Sequence, residues 1–352
     1  MALSGAFKLF EQEDDIVKNI KATISSGIWS GGSATLTAYY TSSAQSSSTG
    51  DYFYDIYKTN PASDTEAEVQ FSVTYGHEHG SGSLGTRGAA TGDRASAAIH
   101  AQFVNLLLGP NKQRFTYAGD TTSKHFFAIS IRRARMREKM DPGNWELWLS
   151  GSDNSLIDHG VIKLIDDSDA TTNPTTGVGG RVFNIVSGSI QTGTTVTNTA
   201  AASQPGGGYG LFYPDMGLIV LNADVLNATA SMNVNTGSNT LADNAGKFLS
   251  MFTESGSGEG NKFQARREER LSSTHYFCRA GNKEFNFSNN PTFFTASDGT
   301  FTQATFFKDP KTYITTVGLY NDSNELLAVA KLSKPVLKSY SREALIKVKL
   351  DF

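Results

Sequence analysis

The sequence predicts a mainly β fold of antiparallel, sandwich-like sheets with long loops and one or two short helices. Charged residues make up only 18% of the chain, against a usual value of about 25%, and Gly accounts for 34 residues. Apolar runs alternate with clusters of Ser, Thr, Gly and Asn, which is typical of strands separated by turns. At the chain end, Ile346, Val348, Leu350 and Phe352 alternate with polar residues, so a terminal strand with one apolar face is expected.

The N-terminal part is predicted to combine a short arm with strands. Leu3, Phe7 and Phe10 recur at helical spacing and predict an amphipathic turn, which either packs on its own domain or docks on a neighbouring subunit. Residues 76–93 contain almost no large apolar side chain, so this segment is predicted to be a long loop. Strands separated by turn residues are predicted at 36–40, 52–57 and 69–75.

The middle of the chain contains the best candidate for an internal helix. Residues 95–108 are rich in helix formers, and Gly109 and Pro110 follow them as stop signals. Beyond this helix the pattern returns to strands and long polar loops. Strands are predicted at 181–186 and 218–221, and polar loops at 166–180, 191–208 and 227–245.

A hairpin is predicted where the strand 126–131 leads through a basic cluster and a turn into the strand 145–149. If the cluster is extended, its arginines share one face and form a positive stripe that fits an acidic patch on a partner. The alternatives are a solvated face balanced by nearby carboxylates, then a nucleic-acid contact, and, for the backbone, a short helix. The arginines concerned are Arg133, Arg135 and Arg137.

The C-terminal part gives the clearest strand pattern. Residues 313–320 are rich in β-branched and aromatic residues, and 321–324 supply turn residues that reverse the chain into a return strand at 325–332. Pro335 cannot donate a ladder hydrogen bond, so it marks where the return strand stops or becomes an edge. The final strand is predicted at 346–352.

Three regions with soft boundaries are predicted, although the whole chain also fits one continuous domain. They are an N-terminal arm and β-region at 1–93, a middle β-region with long polar loops at 94–260, and a C-terminal hairpin-containing region at 261–352. The charged cluster at 266–270 marks the last boundary.

Charge and cysteine content limit the classes of function. The formal net charge of −3 argues against a nucleic-acid partner, because such binding depends on a basic surface. Cys278 is the single cysteine, so no intrachain disulfide is possible, and its apolar neighbours predict a buried thiol. Apolar runs fall short of the roughly 20 residues that span a bilayer, and no signal-peptide pattern is present. We therefore expect no membrane partner and synthesis in a cytoplasm.

No catalytic, cofactor or metal site is predicted. His77, Glu78 and His79 offer possible metal ligands, but in an extended segment the imidazoles and the carboxylate point to opposite sides, so a solvated loop tip is expected. The other histidines have dissimilar sequence surroundings. A calcium site at 166–169 stays an alternative, although the usual calcium-loop pattern is absent.

Two long C-terminal segments carry a resemblance to a known family. Residues 314–352 read ITTVGLYNDSNELLAVAKLSKPVLKSYSREALIKVKLDF, and residues 273–294 read STHYFCRAGNKEFNFSNNPTFF. These segments resemble structural proteins of T-even-like contractile-tailed bacteriophages, in particular the baseplate wedge-type proteins of marine phages and cyanophages. The segments MDPGNWELWLSGS at 140–152 and LIDDSDATTNPTTGVGGRVFNIVSGSI at 164–190 are similar more loosely.

The resemblance implies a structural virion protein of the tail baseplate, without catalytic residues or cofactors. It implies a wedge subunit that joins the inner baseplate to peripheral fibre-bearing parts. The expected partners are other baseplate and tail proteins, and a homo-oligomer, with a dimer favoured, is expected within a six-fold assembly. The candidate interaction surface consists of Arg133, Arg135, Arg137, Leu3, Phe7 and Phe10.

Two other functions also fit the sequence. One is a tail-fibre attachment or receptor-binding protein. The other is a β-sandwich carbohydrate-active enzyme that uses Asp166, Asp169 or Glu146 as acids. Without the resemblance, the residues predict only a β-rich, non-catalytic protein whose work is contact.

Overall fold

The computed structural model divides the chain into two compact units. The first unit contains residues 1–23 and 270–352, and the second contains residues 24–269. The structure describes residues 7–10, 15–42, 53–82, 95–150, 161–168, 175–190, 196–198, 208–230, 232–237, 243–253, 261–295 and 298–352.

The mainly β prediction is confirmed, because the described residues form many antiparallel strands and few helices. The helices are α1 (Ala95–Leu108), α2 (Arg133–Met136), α3 (Ala223–Ala230) and α4 (Asn244–Thr253). The strands are β1 (Ile16–Gly27), β2 (Thr35–Leu36), β3 (Phe53–Tyr57), β4 (Val69–His77), β5 (Thr116–Tyr117), β6 (Thr121–Thr122), β7 (His125–Ile131), β8 (Lys139–Leu149), β9 (Ile162–Asp166), β10 (Thr175–Gly177), β11 (Gly180–Ile190), β12 (Val196–Asn198), β13 (Gly210–Tyr213), β14 (Leu218–Asn222), β15 (Lys262–Ala280), β16 (Thr312–Tyr320), β17 (Leu326–Lys338) and β18 (Ala344–Asp351).

The second unit is built on one large sheet. Its strands follow the order β15-β8-β9-β11-β13-β14-β7-β4-β3, with β2 beside β15 and with β10 and β12 beside β11. The pairings along this order are antiparallel, so neighbouring strands exchange ladder hydrogen bonds across the sheet. A separate small sheet pairs β5 with β6.

An aromatic cluster fills the main core of the second unit. Phe71 lies at its centre, with its ring centroid 5.7 Å from Trp29, 5.4 Å from Phe263 and 5.5 Å from Phe252. All four side chains are buried, and Trp29 Nε1 donates a hydrogen bond to the carbonyl oxygen of Phe263 at 2.9 Å. Buried aromatic rings contribute large apolar area, and the polar edge of Trp29 keeps a partner.

Helix α1 begins and ends at the predicted residues and covers a second apolar cluster. Val104 and Leu107 of α1 pack in this cluster with Phe115 and Phe126. Gly109 follows the helix with a φ of 88°, a left-handed conformation that glycine adopts without a Cβ clash. The sequence therefore located both the helix and its C-terminal stop.

The predicted hairpin between 126–131 and 145–149 is wrong. Strand β7 pairs with β14 and β4, whereas β8 pairs with β15 and β9. The expected turn at 141–144 lies inside β8 and is held there, because the Gly143 N–H donates to Asp166 Oδ2 at 2.8 Å. The basic residues before it form the short helix α2, which was the alternative interpretation.

Several other elements differ from the expectation. Four helices are described where one or two were expected, and α3 and α4 occupy parts of the polar segment 227–245 and its flanks. The Asn222 side chain accepts hydrogen bonds from the first backbone N–H groups of α3, which accounts for its start. The charged cluster at 266–270 lies inside β15, and the division between the two units falls within this cluster. Of the predicted loops, residues 83–93, 169–174, 191–195, 199–207, 231 and 238–242 lie outside the described residues.

The first unit contains the predicted C-terminal hairpin. Strands β16 and β17 pair through the turn at 321–324, and β18 pairs with the end of β15 from Ser273 to Ala280. Strand β17 continues past Pro335 as a member of a two-stranded sheet. Ile346 and Val348 are buried as predicted, but Phe352 follows the end of β18 and is 74% exposed. The final residue therefore does not belong to the apolar face.

Neighbouring leucines of α1 provide a matched test of the second cluster. Leu107 is 1% exposed and Leu106 is 47% exposed. We expect Leu107→Ala to lower the free energy of unfolding by about 2–5 kcal/mol, because it leaves a cavity. The control Leu106→Ala is expected to change it by less than about 0.5 kcal/mol. Urea unfolding of both variants measures the difference, and equal effects would contradict the packing described here.

Candidate functional site

The two faces of the β16–β17 hairpin have different surroundings. On one face, Leu319, Ile314 and Val317 of β16 and Ala328 and Ala330 of β17 pack in an apolar cluster. The cluster is completed by Ile346 and Val348 of β18, with Tyr276, Cys278, Leu332 and Leu350 packed against it. Cys278 is only half-buried, and burial raises the pKa of its thiol. This supporting face fixes the hairpin within the first unit.

Large apolar side chains remain exposed elsewhere on the hairpin. Tyr320, Leu326, Leu327 and Val329 are between 51% and 66% exposed. A Cβ added to Gly318 would lie 2.9 Å from Tyr320 Cε2 and 3.3 Å from Leu326 Cδ1, so these two side chains cover the glycine. We call these five residues the exposed patch. In the strand register Gly318 lies opposite Val329 and Tyr320 lies opposite Leu326, and Leu327 follows Leu326 in the chain. Exposed apolar groups gathered on one element mark contact sites more often than isolated ones do.

Strand β16 adds an unprotected backbone edge to the exposed patch. Within the described residues it pairs with β17 alone, and it contains neither a charged residue nor proline. By contrast, β17 carries Lys331, Lys334 and Pro335, which discourage strand pairing. An edge strand presents unpaired N–H and C=O groups, so β16 can accept a strand of a partner.

The turn of the hairpin is held by its own side chains. The Asn321 Oδ1 atom accepts hydrogen bonds from the backbone N–H groups of Ser323 and Glu325, at 3.0 and 2.8 Å. Its Nδ2 donates to Glu325 Oε2 at 2.7 Å, and Asn324 adopts a left-handed φ of 60°. Asn commonly adopts such turn conformations. The exposed patch therefore lies on a pre-organised element.

The predicted arginine stripe does not form, because α2 is helical and its arginines have separate partners. Arg135 forms an ion pair with Glu68 at 2.8 Å, and Arg137 with Glu269 at 3.3 Å. Arg133 Nη1 donates to the carbonyl oxygen of Glu138 at 3.1 Å. Arg137 also has a positive φ of 59°, at the end of the helix. A role of these side chains in partner binding stays a prediction.

The predicted N-terminal arm is described only in part. Phe7 and Phe10 are 59% and 48% exposed, and residues 7–10 form no helix. The Phe10 ring lies with its centroid 5.9 Å from that of Tyr276. Leu3 lies outside the described residues.

Four histidines meet in the second unit: His77 and His79, which are close in sequence, and His100 and His125, which sequence reasoning placed in dissimilar surroundings. His77 of β4 lies opposite His125 of β7 in the strand register, with ring centroids 5.7 Å apart. His77 is buried, so it does not lie at a solvated loop tip. The His79 backbone N–H donates to His77 Nδ1 at 3.0 Å. The His100 ring of α1 lies with its centroid 5.4 Å from that of Phe126, and its Nε2 has no hydrogen-bond partner among the described residues.

A hydrogen-bonded chain fixes the orientation of His125. Its Nδ1 lies 2.9 Å from the Tyr75 hydroxyl, and its Nε2 lies 2.7 Å from Asp224 Oδ1. This hydrogen bond lowers the pKa of Asp224, while burial raises the pKa of Tyr75 well above its usual range. The arrangement joins β4, β7 and α3, and its buried tyrosine is a poor nucleophile because burial holds the hydroxyl protonated.

Burial and the surrounding imidazoles make this cluster sensitive to acid. Burial, followed by the nearby His125, His79 and His100, lowers the pKa of His77 to about 4. Burial also lowers the pKa of His100. Glu78, which lies between His77 and His79 in the chain, forms an ion pair with Arg114 at 2.7 Å. In the described ranges no group of three or more His, Cys, Asp or Glu side chains is arranged to hold a metal ion.

The carboxylates considered as catalytic acids or calcium ligands make structural contacts. Asp166 accepts hydrogen bonds from the backbone N–H groups of Gly143 and Ser168, at 2.8 and 2.9 Å, and burial raises its pKa. Glu146 is buried, pairs with Lys262 and accepts the Ile190 N–H. Asp169 lies outside the described residues.

Sequence reasoning located the hairpin but did not place the candidate surface on it. The signal was present, because residues 312–320 contain no charged side chain while the return strand carries lysines. The histidine cluster gave a weaker signal, since only the strand register brings His77 and His125 together.

No protein-family model, curated protein or solved structure matches the chain. No helix in the described part of the chain has the length and apolar character needed to cross a bilayer.

The low pKa of His77 predicts a loss of stability in acid. The folded chain keeps His77 neutral at pH values below its ordinary pKa of 6.5. The contribution of neutral His77 to the free energy of unfolding is therefore complete above pH 6.5 and is lost as the pH falls towards 4. We expect His77→Gln to remove about 1–3 kcal/mol of the acid-dependent decrease in unfolding free energy. The control His79→Gln, at an exposed imidazole, is expected to keep most of that decrease. Urea unfolding across this pH range measures both, and equal pH dependence in His77→Gln and the unmodified chain would refute the assignment.

Proposed function

We propose that the chain is a structural virion protein of a contractile phage tail, most specifically a baseplate wedge subunit. Two observations of different kinds support the proposal. The resemblance at 273–294 and 314–352 points to a baseplate protein. The exposed patch and the unpaired edge of β16 provide a surface that is suited to binding another protein. The exposed patch is the observation that supports the proposal most directly, because it is a surface formed by residues of the segment 314–352.

The exposed patch is suited to a protein partner. Its aliphatic and aromatic side chains lose water on association, which is the main favourable contribution at the centre of an interface. A strand added at β16 would at the same time satisfy outward-facing backbone groups, with side-chain pockets supplying specificity. The supporting cluster and the hydrogen-bonded turn reduce the entropic cost of binding, because the hairpin needs no further ordering.

The proposed partners are other baseplate and tail proteins, and a second copy of this chain within a six-fold assembly. An uncharged strand edge can pair with a strand from a different protein or with the same strand across a two-fold axis. A dimer is the favoured form of self-association. The proposed site of action is the tail baseplate of the virion, as the joint between the inner baseplate and the fibre-bearing periphery.

Replacing the exposed patch with charge tests the proposal. We expect Leu327→Lys combined with Val329→Lys to reduce incorporation of the chain into phage particles by about tenfold or more, because a loss of about 1.4 kcal/mol at an interface centre weakens association tenfold. Both positions are more than half exposed, so the folded chain is expected to keep its thermal unfolding temperature. Quantitative mass spectrometry of purified particles measures incorporation.

The matched control is Leu345→Lys, which charges an exposed leucine on β18 outside the patch. It is expected to enter particles as the unmodified chain does. Equal incorporation of the patch variant and the control would contradict the proposed surface. Cryo-electron microscopy of the same particles decides the location, since density at the fibre tips in place of the baseplate would favour a receptor-binding role.

A further inference from the structure

Lys338, at the end of β17, is a buried lysine with an unusual set of partners. Its side chain is 0% exposed. Its Nζ donates to the carbonyl oxygens of Asn282 and Ser339, each at 3.1 Å, and to Asn286 Oδ1 at 3.0 Å. Among the described residues no carboxylate lies within ion-pair distance of this ammonium group.

A buried ammonium without a carboxylate partner is costly in its charged form. Burial lowers the pKa of Lys338, while the more distant charges of Glu284 and Glu343 act in the opposite direction. The neutral amine is therefore more accessible here than at an exposed lysine. A neutral lysine amine is a nucleophile.

The side chain of Asn286 is held against this amine. Asn286 is buried, and its Nδ2 donates to the carbonyl oxygen of Asn282 at 2.6 Å, the same oxygen that accepts from Lys338. The carboxamide is thus fixed at both ends, with its oxygen held beside the lysine nitrogen. The amide carbon, one bond further along the side chain, is the electrophile that a neutral amine can attack.

The backbone next to Asn286 is strained. Phe285 has a φ of 52°, in the left-handed region that bulky residues rarely adopt. Its carbonyl oxygen accepts a hydrogen bond from the buried Thr312 Oγ1 at 2.7 Å, which holds the strained residue in place. Strain of this kind persists where the surroundings fix a particular geometry, and it gathers at functional positions. Here it positions the carboxamide beside Lys338.

We propose that Lys338 and Asn286 form an intramolecular isopeptide bond. In the proposed reaction the Lys338 ammonium loses one proton, and the Nζ lone pair attacks Cγ of Asn286 after the carboxamide turns about its terminal side-chain torsion. The Nζ–Cγ bond forms and the Cγ–Nδ2 bond breaks. Nζ passes its second proton to Nδ2, which leaves as ammonia and takes up the proton that Lys338 released before the attack, so the products are a secondary amide and ammonium. No oxidant or other reactant is consumed.

The bond would join the end of the hairpin to the segment before it within the first unit. It links residues 52 positions apart in sequence. A crosslink that closes a loop restricts the unfolded chain and so favours the folded state. It would also remove the buried charge, because the amide product is neutral. This inference does not depend on the proposed function.

Mass spectrometry of the full-length chain tests the inference. After incubation at neutral and mildly alkaline pH, the intact chain is expected to be lighter by one ammonia molecule. The loss of ammonia is expected to be faster at the higher pH, because the attack needs the neutral amine. Trypsin does not cleave after Lys334, which precedes Pro335, nor after a modified Lys338. The expected product is therefore one crosslinked species that contains residues 284–308 and 332–342.

Variants separate this bond from other losses of ammonia. Asn286→Ala and Lys338→Met are expected to abolish the mass loss, whereas Asn282→Ala is expected to keep it, because Asn282 contacts Lys338 only through its main-chain oxygen. If the unmodified chain keeps its full mass, the proposal is overturned. This measurement does not depend on whether the variants fold. A loss of ammonia without the crosslinked peptides, as from cyclisation of another asparagine, overturns it equally.

Discussion

Backbone pairing along β15 is the constraint on which both units depend. From Lys262 to Glu268 this strand pairs with β8, and Phe263 within that stretch is buried against Trp29 and Phe71 in the main core. From Ser273 to Ala280 the same strand pairs with β18, and its apolar side chains support the hairpin cluster. Each section supplies both hydrogen-bond partners and one wall of a core, so a shift of register by one residue would reverse which side chains are buried in either unit.

Local patterns in the sequence predicted the elements whose cause is local. Helix α1 was predicted from its helix formers and its glycine stop, and the β16–β17 hairpin from its β-branched runs and its Asn-rich turn. The pairing of β7 and β8 was not predictable in this way, because strands 126–131 and 145–149 find partners far away in sequence. Helices α3 and α4 contain Asn, Thr and Gly, so their propensity is low, and burial of one apolar side, such as Leu226 and Phe248, stabilises them.

In the candidate site too, local features were predictable from the sequence, whereas features set by the tertiary fold were not. The hairpin was visible in the sequence, but the exposed patch depends on which face the cluster beneath it covers, and that is decided by β18 and the end of β15. The arginines of α2 looked like a surface feature because they are close in sequence, yet a single turn of helix directs Arg135 and Arg137 to different carboxylates. The histidine cluster and the contact between Lys338 and Asn286 join residues that only the tertiary fold brings together.

The distribution of charge bears on how such a chain would associate. The α2 arginines have partners within their own unit, and the chain carries a formal net charge of only −3, so long-range attraction gives little steering towards a partner. The exposed patch offers apolar area and backbone groups, whose contributions arise only at contact. Such a surface binds its partner most effectively when other contacts already hold the partner nearby, because tethering raises the effective concentration of the partner. A particle whose subunits assemble in a fixed order provides this situation. Apolar recognition on a rigid hairpin therefore fits a subunit that joins a growing assembly better than one that captures a dilute ligand from solution.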